Sequence, residues 1–313
     1  MRLDDIRRSS NIEDRRGGGG GGGGSSGGGG GPRLPLRGRG GIAMIVVVLL
    51  LVFFGGGDTM GTLMSILGAD SGLSSQQGGF QAEPAQPKGM DKQASSSRSE
   101  AETADRVAAV LGSTEEFWTA HFARNGLTYT PATLVLFDNQ TSSPCGKASA
   151  STGPFYCPGD KKIYLDLSFF EEMDRGLGAK GDFAQAYVIA HEVAHHVQDV
   201  TGILPRANRA MRKQGQSKGA GSIAVRIELQ ADCYAGLWAG QSNITAALEP
   251  GDIGEALGAA SAVGDDRLQK RAQGFAVPDS FTHGTSVQRM TWFKEGLGSG
   301  DLRGCDTFSA RDL

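Results

Sequence analysis

Two histidines and a glutamate stand together in the run AYVIAHEVAHHVQDV: His191, Glu192 and His195. Residues four apart lie one above the other on a helix face, so both imidazoles can reach a single ion. The glutamate between them sits beside that ion without being one of the pair. Its carboxylate is placed to take a proton from a metal-bound water. The pattern H-E-x-x-H therefore carries a mechanism, on condition that it lies on a helix. The same letters also arise in buried helices whose histidines merely pair with polar neighbours, so the rest of the chain must decide.

The helix condition is met over residues 182–200, which are rich in apolar residues and contain no Gly or Pro. Asp182 is a good N-cap, and Gly202 stands just past the end as a stop. A catalytic zinc usually takes three protein ligands and keeps a fourth position for water. One scheme draws the third ligand from H-E-x-x-H-x-x-G-x-x-H, but Gln198 and Thr201 occupy those last two positions here. The other scheme uses a glutamate on a later helix. Glu228 and Asp232, in ELQAD, are four apart and share a helix face. That face lets Glu228 bind the ion while Asp232 accepts the outer N–H of a ligating histidine and fixes its orientation. Helical carboxylates are ordinarily solvated; the upstream H-E-x-x-H gives this pair something to do.

The chain around these residues is unevenly composed. Of 313 residues 49 are glycine, many of them in runs at 17–24 and 27–31. Arg2, Arg7, Arg8, Arg15, Arg16, Arg33, Arg37 and Arg39 surround those runs, and residues 1–39 read as a disordered, cytoplasmic tail. No strand precedes the glycines and no GK[ST] follows, which argues against a phosphate-binding loop. Residues 40–57 carry no charge and have an apolar core from Ile42 to Phe54. This segment is expected to be a single transmembrane anchor, with the arginine-rich side in the cytoplasm and the catalytic domain outside it. Residues 58–99 read as a flexible stalk. A net charge of −3 gives no basic footprint for nucleic acid. The four cysteines form no C-x-x-C pair, which disfavours a four-cysteine zinc site. Two disulfides are open to them, in any of three connectivities.

The folded domain is expected over 100–313. A helix from Glu100 breaks at Gly112 and Ser113, where Ser113-x-x-Glu116 begins a second one. TLVLF (133–137) is a short buried strand, and 144–170 reads as strand, Pro-Gly-Asp turn, strand. After the H-E-x-x-H helix come a loop with Pro205, a basic Gly-rich stretch to 222, and helices near 222–242, 252–268 and 286–297. The fold class is α+β, with a small, partly antiparallel sheet and an active-site helix.

The order PCG…GPFYCPGDKKIYLDLSFF, AHEVAHHVQ, RIELQADCYAGLWA, SFTHGTSVQRMTWFKEG resembles the bacterial membrane-anchored neutral zinc metallopeptidases. The likeness covers roughly residues 100–305 and the anchor, and leaves the glycine run out. It implies a zincin fold, bound Zn2+ and hydrolysis of a peptide or protein substrate. It also implies His191, His195 and Glu228 as zinc ligands and Glu192 as general base. An oxyanion would need a donor besides zinc; His283 is the leading candidate and Tyr187 or Tyr234 lesser ones. The competing view of His283 is that it only organises a helix start. His196, about 100° round the helix from His195, and His121 read as structural. A disulfide between Cys145 and Cys157 would stiffen the strand pair, and one between Cys233 and Cys305 would tie the ligand helix to the C-terminus. An edge strand near Phe155–Tyr156 or Ile163–Leu165 could align substrate. The alternative to an enzyme is a zinc-binding but inactive envelope scaffold. Oligomeric state is not legible.

Overall fold

In the computed structural model residues 1–17, 90–215 and 217–313 are described. The chain begins with β1 (Ile12–Asp14), then α1 (Met90–Arg124), β2 (Thr133–Phe137), β3 (Gln140–Ser143) and β4 (Gly146–Ser149). β5 (Phe155–Cys157) and β6 (Lys162–Asp166) lead to the short α2 (Ser168–Glu172). The helices that follow are α3 (Asp182–Val200), α4 (Ile203–Gln214), α5 (Ile223–Ala239), α6 (Ser242–Ala247), α7 (Asp252–Ala262), α8 (Asp265–Gln273) and α9 (Ser286–Ser299).

The sheet order is β1-β2-β6-β5. β1 and β6 both run parallel to β2, and β5 pairs antiparallel with β6. Side chains alternate between its faces, as the pleat requires. Leu134, Leu136, Tyr156, Ile163 and Leu165 enter the main helical core. Val135, Phe137, Phe155, Cys157 and Tyr164 face the other way, with Ala148 of the β3–β4 hairpin. Phe155 and Tyr164 stack at 4.9 Å between ring centroids. The disulfide Cys145–Cys157 staples the hairpin to β5, and Cys233–Cys305 ties α5 to the C-terminal segment.

Two expectations are corrected here. The described chain is mostly helical with a small sheet, rather than the expected α+β zincin-like domain preceded by a transmembrane helix. No helix among the described residues is long and apolar enough to cross a membrane. The expected anchor, residues 40–57, lies outside the described residues, as do 18–39 and most of the expected stalk. The single-pass cell-membrane arrangement with a cytoplasmic N-terminus is also overturned, and the packing gives the physical reason. Residues 1–16 belong to the same folded body as α1 to α9. β1 extends the sheet. The Met1 ammonium lies 3.0 Å from Asp182 Oδ1, 3.0 Å from Glu249 Oε2 and 3.1 Å from Asp252 Oδ2. A chain that put its first residues on one side of a bilayer and α3 and α7 on the other could not make these contacts.

Several local departures share one cause, which is tertiary contact. α1 runs unbroken through Gly112 and Ser113. A Cβ at Gly112 would strike the Arg7 carbonyl, so this glycine is a place of close approach and not a stop. Ser113 Oγ donates back to the Val110 carbonyl and accepts from Trp238 Nε1. Asp182 is the first residue of α3 instead of its cap, since its carboxylate is engaged by Met1. The stretch after Gly202 is helix α4, not loop; Pro205 falls in its first turn, where a missing N–H costs nothing.

Glu115 anchors the N-terminal segment. Its buried carboxylate accepts from Ser9 Oγ (2.5 Å), Asn11 Nδ2 (2.8 Å) and Arg7 Nη2 (2.6 Å). Replacing Glu115 by alanine strands those donors and is expected to cost about 2–4 kcal/mol, read as a lower urea midpoint. The same variant should become cleavable by trypsin at Arg7 or Arg8 under native conditions. Intact mass should rise by four hydrogens on full reduction if both bridges are present in the purified protein.

Candidate metal centre

The H-E-x-x-H residues occupy α3, which is buried along most of its length. His191 and His195 sit one turn apart, their rings 4.8 Å between centroids and nearly perpendicular. α5 crosses α3 and presents Glu228 to both. Glu228 Oε2 lies 3.2 Å from His191 Nε2, and Oε1 lies 3.6 Å from His195 Nε2. One ligand atom from each of the three residues falls within 4.8 Å of the others. Tetrahedral zinc with bonds near 2.0–2.2 Å holds its ligand atoms roughly 3.3–3.5 Å apart, so the spacing of this donor set fits that ion.

Both histidines turn Nε2 inward because Nδ1 is engaged on the outside. His191 Nδ1 lies 2.9 Å from Asp232 Oδ1, one helical turn beyond Glu228 on α5. His195 Nδ1 lies 2.8 Å from Gln198 Oε1. Asp232 is fully buried. It accepts from Arg289 Nε at 2.8 Å, Arg289 Nη2 at 2.9 Å and the Tyr187 hydroxyl at 2.5 Å. Arg289 comes from α9. It can reach Asp232 because α9 and α5 cross through glycine: a Cβ at Gly236 would strike the Phe293 carbonyl, and one at Gly296 the Cys233 carbonyl.

The electrostatics follow from burial working against partners. Burial alone would raise the Asp232 carboxyl, but Arg289 and His191 outweigh it and hold the group below its ordinary range. Glu228 is likewise held well below the carboxylate range, since the two histidines overcome burial. His191 moves the other way: burial opposes its charge, yet Asp232 and Glu228 raise it to about 9. A proton therefore competes with any cation for that imidazole. Glu192 is 8 % exposed, and burial pushes its carboxyl upward.

Other expected residues separate cleanly. The backbone N–H groups of Thr282, His283 and Gly284 all donate to Asp265 Oδ2, at 2.7, 2.7 and 3.1 Å. His283 Nδ1 lies 3.2 Å from Asp265 Oδ1, which leaves Nε2 as the atom it can present. Burial would lower the His283 pKa, but Asp265 first and Glu228 after it raise it. His283 thus organises the turn before α9. Tyr187 is committed to Asp232, and Tyr234 packs 5.5 Å from Trp118. His196 bridges the Thr130 carbonyl and the Tyr156 hydroxyl, and His121 packs on Trp118. A second carboxylate group, Asp182, Asp252 and Glu255, is met by the Met1 ammonium at the two aspartates.

Arg289 and Gln198 escaped the sequence reading. Arg289 left one signal, the lone charge in SVQRMTWF. Gln198 was visible only as the residue that closed the histidine scheme.

Residues 1–308 match the model of the family described as "Putative neutral zinc metallopeptidase". The uncharacterized protein YpfJ of Escherichia coli strain K12 is 49% identical over 212 residues, 68% of this chain and 74% of that protein. The uncharacterized protein Rv2575 of Mycobacterium tuberculosis strain H37Rv is 47% identical over 196 residues, 59% of this chain and 65% of that one. No solved structure matches the chain. With a family model spanning nearly its whole length, the chain belongs to this neutral zinc metallopeptidase family.

Proposed function

We propose that the protein hydrolyses peptide bonds in a zinc-dependent reaction, with His191, His195 and Glu228 holding the metal. The observation that carries this reading is the inward turn of both Nε2 atoms onto one carboxylate, at 3.2 and 3.6 Å. Zinc, when bound there, would supply a Lewis acid that polarises the scissile carbonyl and lowers the pKa of water to about 7.

The chain's own residues supply the rest. Glu192 accepts the proton of the attacking water. Its burial raises its affinity for that proton, which suits a general base working near neutral pH. Asp232 accepts from His191 Nδ1 and so keeps Nε2 as the donor atom. Arg289 and Tyr187 keep Asp232 ionised and in place. His283, held at Nδ1 by Asp265, offers Nε2–H to the oxyanion that develops on the substrate carbonyl. The substrate is a peptide or protein.

Glu192→Gln is expected to keep one zinc per chain while lowering peptide cleavage by about 10²–10⁴-fold, read on a peptide library with metal content measured in parallel. Cleavage indifferent to that substitution, or no cleavage by the zinc-loaded native protein, would leave a zinc-binding scaffold as the better account. Glu228→Ala is expected to weaken zinc by more than about 100-fold, beyond what loss of an outer hydrogen-bond partner costs. Competition with a chromogenic chelator measures it.

A further inference from the structure

The two histidines are held from outside by different chemistry. His191 has a carboxylate, which accepts whichever way it turns. His195 has the amide of Gln198, which has an oxygen on one side and an NH2 on the other. An amide fixes a tautomer only if something fixes the amide.

The surroundings of Gln198 do so. It is fully buried. Its Nε2 donates to the Ile227 carbonyl at 2.8 Å and to Gln230 Oε1 at 3.1 Å. Gln230 in turn donates from Nε2 to the Cys305 carbonyl at 3.1 Å. Backbone carbonyls only accept, so both ends of this chain have a fixed sense. Turning Gln198 over would set its oxygen against the Ile227 carbonyl. Turning Gln230 over would oppose its oxygen to the Cys305 carbonyl and its NH2 to that of Gln198. Each reversal leaves buried polar atoms unpaired, at about 1–3 kcal/mol apiece. The Cys305 carbonyl is itself pinned: the Cys233–Cys305 disulfide ties it to α5, and the Thr307 N–H donates to it at 3.0 Å.

We infer that Gln198, Gln230 and the Cys305 carbonyl form a directional hydrogen-bond relay that fixes His195 as the Nδ1–H tautomer, with Gln230 as a positioning residue. The consequence for metal binding rests on the zinc-site reading of His195; the tautomer does not. With Gln198 Oε1 obliged to face the ring, Nδ1 must carry the proton, and the Nε2 lone pair is the one left to face Glu228. Gln230 makes no hydrogen bond to any of the three proposed ligands, yet together with the Ile227 carbonyl it disfavours the alternative in which Nε2 is protonated and blocked.

The test uses the full chain with 15N-labelled histidine, stripped of metal, at a pH where the imidazole is neutral. Two-bond 15N–1H correlations then report which ring nitrogen of His195 carries the proton. The native protein and Gln198→Glu should show Nδ1–H, since a carboxylate accepts in either orientation. Gln230→Met, similar in length but without hydrogen-bonding groups, removes one of the two acceptors that orient the Gln198 amide; the Ile227 carbonyl remains, so Nδ1–H should stay the major form with a minor Nε2–H form newly detectable. Adding Gln198→Glu to Gln230→Met should restore Nδ1–H as the sole form. Zinc affinity by chelator competition should fall by no more than about twofold in Gln230→Met, in proportion to the Nε2–H population, and recover in the double variant. Circular dichroism and the unchanged disulfide count certify that each variant is folded. If Gln230→Met does not fold, a native protein and a Gln198→Glu variant that both lack the Nδ1–H tautomer would overturn the relay, and both having it would support it. Retention of pure Nδ1–H by folded Gln230→Met would also overturn it. The expected tautomers in protein that binds no zinc would sustain the relay and refute the metal site.

Discussion

The centre depends on a buried carboxylate that has to be neutralised. Asp232 is fully enclosed, and an isolated ionised carboxylate in such a place is not tolerable. It is sustained by four contacts from three side chains, His191, Tyr187 and two nitrogens of Arg289. Those side chains come from α3 and α9, whereas Asp232 belongs to α5. One charge thus joins the helix of the two histidines, the helix of Glu228 and the last long helix. Removing any partner leaves the others solvating a charge they cannot satisfy alone. The glycine crossing of α5 and α9 permits this contact, because a Cβ at Gly236 or Gly296 would strike the facing backbone and push the two helices apart.

How much of this the sequence disclosed depends on whether a constraint is local. His191, Glu192 and His195 share one helix, and helical geometry relates them without knowledge of anything else. Glu228 and Asp232 are likewise one turn apart on a second helix, and only the meeting of the two helices had to be supposed. Arg289 has no such neighbour in sequence; its role comes from a contact 57 positions away. Gln198 was read for what it is not, since a pattern built on histidine and glycine has no place for an amide. Gly112 was taken for a helix breaker because, without the Arg7 carbonyl beside it, that is the ordinary meaning of a glycine. The first residues were misread for a similar reason: the composition of 1–39 is dominated by glycine, and β1 is three residues long.

The two histidines of the proposed centre also illustrate two ways of stabilising a donor. A carboxylate partner strengthens the electron-donating character of His191 and adds a negative charge near the ion, offset by Arg289. An amide partner adds no charge to His195 and contributes orientation alone. If Glu228 is the third ligand as proposed, Glu192, Glu228 and Asp232 with Arg289 give three negative charges and one positive, a net of −2 that would balance a divalent cation. A second carboxylate in place of Gln198 would add negative charge with no arginine to meet it.

The edge strand β1 has a consequence for how the molecule is made. Ile12 pairs with Leu134, and the Met1 ammonium meets Asp252, which is 251 positions away. Ribosomal synthesis delivers residues in order, at about 5–20 per second. β1 can pair only once Leu134 has been made, and the Met1 ammonium can meet its third carboxylate only once Asp252 has been made, much later. Closure of such a distant pairing adds entropic cost only slowly with length, but it delays completion. The segment can therefore be fixed in stages, by β2 and Glu115 first and by the carboxylates of α3 and α7 later.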